Sequence, residues 1–293
     1  MKTKSIITAL FNRRQDEIDA FEHLYLDSLL KHADGNTQLI LVDDCSPLRK
    51  ETTQLLEKWK TDLEAKLGDV QILYNEENKG YAGSNNRGIE ASDGSTIFLI
   101  NPDIRLTNGA LDSMADKLYR DESYGAIGPL STNPADGSQR VMFKALNSYS
   151  EEEIKRIDDF AEKIRKSVPD QEKQANLITF FCCGLKKEVI KDVGPIDERF
   201  YPLFWEDLDY VVRIKKKGYK LMVDPQTFIY HGRLNNFNIS YMLSHHLNWP
   251  FFKNMGKFLF KQGPAHLLKE YGRWATGLLT SSKNRYVGNE DVS

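Results

Sequence analysis

What this sequence has little of narrows its class first. Its 293 residues include three cysteines, Cys45, Cys182 and Cys183, an odd number with two of them adjacent. No disulfide framework fits that pattern, so a reducing compartment, the cytoplasm, is the expected home. Long apolar runs are also lacking, and no window approaches the ~18 residues of a membrane-crossing helix. The apolar stretch from Ile6 to Phe11 is stopped by Asn12, Arg13 and Arg14, too early for a signal-peptide core, and reads as a first strand. Net charge is small as well. Forty basic against 42 acidic side chains give a formal charge of -2, which argues against a nucleic-acid binder working through bulk positive charge. Hydrophobic residues at 40% and charged residues at 28%, without low-complexity bias, exclude disorder, collagen and coiled coil as descriptions of the whole.

What is present is a regular alternation. Short apolar runs at 5–10, 38–42, 70–74 and 96–100 are separated by helical patterns such as Leu24, Leu26, Leu29 and Leu30, or Leu55, Leu56, Trp59 and Leu63, or Leu111, Met114 and Leu118. This βαβα order predicts an α/β domain with a mostly parallel, Rossmann-like sheet flanked by helices. A helix with a capping box, Ser150 and Glu153, is expected over 150–168, inside a polar stretch at 131–176 that reads as an insertion or flap. An apolar run at 177–185, a helix over 207–217 ended by Gly218, and a strand near 220–223 follow. These elements make up a domain spanning 1–240. The remainder, 241–293, is a basic, aromatic helical extension with seven basic against three acidic side chains, a net +4 that leaves -6 for the first 240 residues. Two readings of this tail stand side by side: an interfacial helix on anionic lipid, or a helix pair packing on its own domain.

In open parallel sheets, ligands sit beyond the carboxyl ends of the strands. The residues there are polar: Asn12 after the first run, Asp43 and Asp44 after the second, the stretch from Asn75 to Gly88 after the third, and Asn101, Pro102 and Asp103 after the fourth. Each alone has an ordinary explanation as a turn, a cap or a satisfied polar residue. In the 75–88 stretch, Lys79 or Arg87 and the start of the following helix suit a phosphate. Later come Trp205-Glu206-Asp207 and His231. A hard-oxygen carboxylate with an imidazole, Asp103 and His231, is a chemically reasonable pair for a divalent ion.

The succession Val42-Asp43-Asp44-Cys45-Ser46, Asn101-Pro102-Asp103, Trp205-Glu206-Asp207 and Tyr230-His231 resembles the family 2 glycosyltransferases over roughly residues 4–233. These are inverting enzymes with the GT-A fold. The closest likeness is to bacterial transferases that build rhamnose- or galactofuranose-containing surface polysaccharides. The resemblance implies a nucleotide-sugar donor, UDP- or dTDP-linked, and a saccharide or lipid-linked glycan acceptor, with work at the inner face of the plasma membrane. It assigns Asp43, with Thr8 and Asn12, to the nucleotide base, and Asn78, Gly80, Asn85, Asn101 and Asp103 to other donor contacts. Asp103 and His231 would hold Mn2+ or Mg2+, although Asn101 replaces the first acid of the family's metal motif. Asp207 would be the catalytic base, with Glu206 and Trp205 at the acceptor. Whether a helix start at Asp207 lowers its pKa, or burial beside Glu206 and Trp205 raises it, is left open by the sequence. A sugar nucleotidyltransferase and a catalytically dead saccharide-binding module are the competing readings.

Overall fold

The computed structural model describes residues 3–132, 139–232 and 249–266. Its first half alternates as the apolar runs predict. β1 (Lys4–Leu10) leads into α1 (Gln15–Ala20), which continues through π-helical Phe21–Leu26 into α2 (Asp27–His32). Then come β2 (Thr37–Asp43), α3 (Arg49–Leu67), β3 (Asp69–Tyr74), α4 (Gly80–Glu90) and β4 (Thr96–Ile100). A short β5 (Ile104–Arg105) precedes α5 (Ala110–Leu118), β6 (Tyr124–Leu130), α6 (Glu151–Ser167), β7 (Lys173–Ala175), β8 (Cys182–Lys186) and α7 (Lys187–Val193). A 3-10 turn at Glu198–Phe200 leads to α8 (Glu206–Lys216), β9 (Lys220–Phe228), β10 (Tyr230–His231) and α9 (Trp249–Gln262).

Eight strands form one sheet in the order β3-β2-β1-β4-β8-β6-β9-β7. β1 runs parallel to β2 and β4, β2 to β3, and β6 to β9, while β8 and β7 run antiparallel to their neighbours. The central strands β1, β2 and β4 are buried along nearly their whole length because both faces are covered, and their middles are apolar. Ile7, Ile40, Val42, Ile97 and Leu99 enter one core, and Ile6, Leu39, Leu41, Phe98 and Ile100 enter the other.

Three elements escape a reading by periodicity. β6 contains Gly125, Gly128 and Pro129, and α7 is a single short helix that starts directly at the end of β8. β9 continues past the expected end at Val223 through the buried Asp224, whose carboxylate accepts from Lys117, Ser113 and Thr227. A buried charge is tolerable in a strand when it is paired in this way.

The stretch expected as a flap lies, in its described residues, against the sheet. The Ser150 hydroxyl accepts from the Glu153 amide as the capping box predicts, and Ile157, Ala161 and Ile164 enter the core beside β9. The fully buried Arg105 fastens this helix by a fork to Asp158 and a further bond to Asp27. Of the basic tail, 241–248 and 267–293 lie outside the described residues. α9 packs one face on the domain, with Phe258 and Asn254 fully buried.

Candidate active site

All four strand-end positions converge at the carboxyl edge of the parallel strands. Asp43 ends β2 and is 0% exposed. Its Oδ2 accepts from Arg49 Nε at 2.8 Å and from the Ser46 amide at 3.4 Å. Its Oδ1 is buried with no hydrogen-bond partner. A buried acceptor without a donor is costly, so the site is complementary to an N–H brought by a ligand. Arg49 also donates to the Asn75 carbonyl and sits 5.6 Å from the Tyr74 ring, roofing the same corner. It went unnoticed in the sequence because a cation in the first turn of a helix carries no signal of its own.

The neighbouring acid does different work. Asp44 Oδ1 accepts from Lys79 N at 2.7 Å and Asn75 Nδ2 at 2.8 Å, and its Oδ2 accepts from Gly80 N at 2.8 Å. It therefore caps α4 from another strand end, a favourable place for a carboxylate. The next amide, Tyr81 N, donates to the Pro202 carbonyl at 2.9 Å. With these amides satisfied internally, the phosphate-facing role expected of this helix start is filled by the protein's own oxygens. Arg87 likewise donates to the Tyr74 carbonyl and Asn75 Oδ1, and Lys79 pairs with Glu77. Both basic candidates are structural ties.

Other expected donor contacts fall in the same wall. Thr8 is buried and shares a hydrogen bond with the Tyr25 hydroxyl. The side chain of Asn12 is buried and donates to Thr52 Oγ1 at 3.0 Å, and its backbone amide donates to Ser46 Oγ at 2.9 Å. Asn78 Oδ1 accepts from Gly80 N, and Asn85 Nδ2 donates to the Tyr81 carbonyl. Thr8, Asn12 and Asn85 shape the edge from below its surface.

Asp103 and His231 are brought together across 128 residues of chain by the two-stranded pairing of β5 with β10, which sets His231 opposite Ile104. His231 Nε2 lies 3.4 Å from Asp103 Oδ1. The imidazole is stacked on Phe181 at 4.9 Å with ring planes 9° apart, and its Nδ1 is buried without a partner. The Asn101 amide donates to the Phe181 carbonyl at 2.8 Å, so the three-residue motif is tied to the same strand start. No group of three or more Asp, Glu, His or Cys able to hold a metal occurs among the described residues. A two-donor protein site still fits Mg2+ or Mn2+, which are commonly held by one or two protein groups plus substrate phosphates. Two such donors in adjacent positions on an ion with bonds of about 2.1 Å would stand roughly 3 Å apart, close to the separation here.

The third cluster sits at the start of α8. Phe204 and Trp205 both adopt left-handed backbone, at φ 78° and 77°. Such geometry in bulky residues costs on the order of 1–3 kcal/mol each and persists only where the surroundings enforce it. Gly80 supplies one enforcing contact: at φ 71° it lies so close that an added Cβ would sit 2.5 Å from the Pro202 carbonyl oxygen. α8 begins at Glu206, one residue earlier than expected. Burial, and next the adjacent Asp207 charge, push the Glu206 carboxyl well above its usual range, and its Oε2 has no partner. Asp207 is partly buried, and burial raises its pKa despite the hydrogen bond from Leu208 N at 2.7 Å. Desolvation thus outweighs the helix start. Burial favours the protonated form of both acids, Glu206 with the further push of its neighbour's charge, which is the direction that makes a carboxylate a better base. Tyr81 faces the same two acids, donates to the Phe180 carbonyl at 2.9 Å, and has its own pKa raised by burial and then by their charge.

Comparison with known proteins bears on the family and the fold. The family model for "Glycosyl transferase family 2" matches residues 5–194. The N-acetylglucosaminyl-diphospho-decaprenol L-rhamnosyltransferase of Mycobacterium tuberculosis is 23% identical over 200 residues, 61% of this chain and 64% of that enzyme. The chain therefore spans less than two thirds of that relative's length. Among solved structures, GalNAc-T7 with UDP, GalNAc and Mn2+ superposes with a TM-score of 0.64 at 14% identity, covering 98% of this chain and 52% of that one. The mannosyltransferase PcManGT from Pyrobaculum calidifontis, in complex with GDP-Man and Mn2+, gives 0.54 at 12% identity, covering 96% and 75%. At such identities these two likenesses establish the fold, GT-A, and nothing finer.

Proposed function

The chain belongs to glycosyl transferase family 2, and on that premise we propose that it is an inverting transferase moving one sugar from a nucleotide-sugar donor to a hydroxyl of a saccharide or lipid-linked glycan. The observation that carries the reading is the Glu206–Asp207 pair, two adjacent acids whose carboxyl pKa values are both raised by burial, at the first turn of α8 directly after the left-handed Phe204 and Trp205. Asp207 takes the proton of the acceptor hydroxyl as that oxygen bonds to the anomeric carbon. The bond from that carbon to the diphosphate breaks on the opposite face, so the configuration inverts. Protonated Glu206 holds the acceptor by a donated hydrogen bond, with the Trp205 ring beside it. Asp43, through its unpartnered Oδ1, takes an N–H of a uracil or thymine base. Asp103 and His231 are the residues that would hold Mn2+ or Mg2+, and a bound ion would neutralise charge on the leaving diphosphate.

The rhamnosyltransferase likeness supports L-rhamnose as the transferred sugar and a prenyl-diphosphate-linked sugar as the acceptor. A lipid-linked acceptor also suits the outward face of α9, where Trp249 is 76% and Phe260 96% exposed, with Phe252 and Lys253 beside them. Next to this face lies a cavity of about 570 Å³ whose charged lining is Arg199, Lys253, Lys257, Lys261 and Asp197, the aspartate pairing with Arg199 and Lys261. Aromatic and basic side chains on one helix face suit the surface of an anionic bilayer. No helix among the described residues is long and apolar enough to cross one.

Incubation with UDP- and dTDP-sugars, Mn2+ and prenyl-diphosphate-linked or free saccharides tests the reading. Nucleoside diphosphate should be released, whereas a nucleotidyltransferase would release inorganic pyrophosphate. Asp207→Asn should lower kcat by roughly 10²–10⁴, the range for a lost general base. Full activity in that variant sinks the assignment.

A further inference from the structure

The loop from Phe200 to Trp205 holds two consecutive left-handed residues ahead of Glu206 and Asp207. Left-handed turns in non-glycine residues do not hold themselves, so something must enforce this one. The enforcing group comes from α9. Asn254, 0% exposed, aims its amide into the loop. Nδ2 donates to the Phe200 carbonyl at 2.5 Å and the Leu203 carbonyl at 2.9 Å, with the Tyr201 and Phe204 carbonyls at 3.4 Å. Its Oδ1 accepts from Lys257 Nζ at 2.7 Å, which fixes the amide with its hydrogens toward the loop. Four carbonyls facing one point need a neutral or cationic donor there. An amide NH2 offers two hydrogens from one atom, whereas a carboxylate would offer only lone pairs.

The same helix face grips the segment at two further points. Trp205 packs 5.3 Å from both Phe251 and Phe258. Beyond the acids, buried Asp209 accepts from Lys261 Nζ at 2.7 Å and Gln262 Nε2 at 2.6 Å. Phe251, Asn254, Phe258 and Gln262 fall on one stripe of α9. The stripe spans the loop, the tryptophan and the first turn of α8. Glu206 and Asp207 sit between the clamped ends.

We propose that Asn254 is a positioning residue for sugar transfer, acting through the 200–205 loop to hold Glu206 and Asp207 against the acceptor. α9 then belongs to the transfer machinery, although it lies well beyond the stretch matched by the family model. The inference rests on the assignment of Asp207 as base, and its test separates the two.

The full-length protein and its Asn254→Ala, Asn254→Asp and Asn254→Ser variants are compared under the conditions in which the unaltered protein releases nucleoside diphosphate. Titration with UDP or dTDP and Mn2+ should give dissociation constants within twofold of the unaltered protein, because the Asp43, Asp103 and His231 region lies away from α9. In Asn254→Ala and Asn254→Asp, kcat should fall at least tenfold, and the acid limb of the kcat profile should move to lower pH as water reaches Asp207. Asn254→Ser, which keeps one donor, should recover part of kcat. A residue serving stability alone would lower the melting temperature and leave kcat and the pH profile in place below it, which would overturn the proposal. Folding only with Asn254 intact, with both Ser and Asp variants unfolded, would overturn it equally. No transfer by the unaltered protein brings down the function and this inference together, whereas an active protein with undiminished variants brings down this inference alone.

Discussion

Glu206 shows most plainly how a side chain's chemistry depends on its surroundings. Burial and the neighbouring Asp207 charge raise its pKa well above the ordinary carboxylate range, so the folded protein holds this proton to higher pH than the unfolded chain does. Folding then takes up a proton, and stability falls as pH rises from the unfolded pKa toward the folded one. Glu206→Gln, neutral in both states, should melt higher than the unaltered protein at pH 8, and the two should converge near pH 4 in a thermal melt. Because Gln also donates a hydrogen bond, turnover should drop far less than in Asp207→Asn. A lower melting temperature at pH 8 would mean that Glu206 is ionised. Asp43 and Asp44 make a related point: they are adjacent and chemically identical, yet one is tied to Arg49 with its second oxygen buried and unpartnered while the other caps α4.

Among the elements, β5 and β10 are only two residues each, yet their pairing brings Asp103 and His231 together. β10 follows β9 almost at once, and β5 follows β4, so two neighbouring crossovers bring a carboxylate and an imidazole within 3.4 Å. His231→Ala should raise the Mn2+ concentration for half-maximal turnover by roughly tenfold or more, the scale of a lost metal contact. Chelation should stop turnover in the unaltered protein. A chelator-insensitive enzyme would remove Asp103 and His231 from that role. α4 matters in another way. The asparagines and glycines at its start look like a phosphate loop, but its amides are taken by Asp44 and Pro202, so it serves as the bracket joining the nucleotide corner to the acid loop.

Across the whole molecule, the near-neutral charge is an average of an acidic domain and a basic tail. Of that tail, α9 packs its inner stripe on the domain and leaves Trp249, Phe252 and Phe260 exposed beside Lys253 on its outer stripe. In a flotation assay the protein should rise with vesicles containing phosphatidylglycerol, less with neutral ones, and less again at high salt. Phe260→Ala with Lys253→Glu should reduce the bound fraction, and equal partitioning of the variant would leave α9 with packing alone. The sequence by itself determined the parallel order of the first four strands and where their polar ends fall. That information is local, because apolar run length and the βαβ rule need only neighbours in the chain, and parallel strands present their carboxyl ends at one edge. β6, disguised by glycines and proline, and the extension of β9 through paired Asp224 were illegible for the converse reason: tertiary partners hold them. Only the tertiary structure decided which of two adjacent aspartates caps α4, that burial raises the Asp207 pKa despite the helix start, and that Asn254 grips the loop before it. Each depends on the distance between groups far apart in sequence, and packing alone sets those distances.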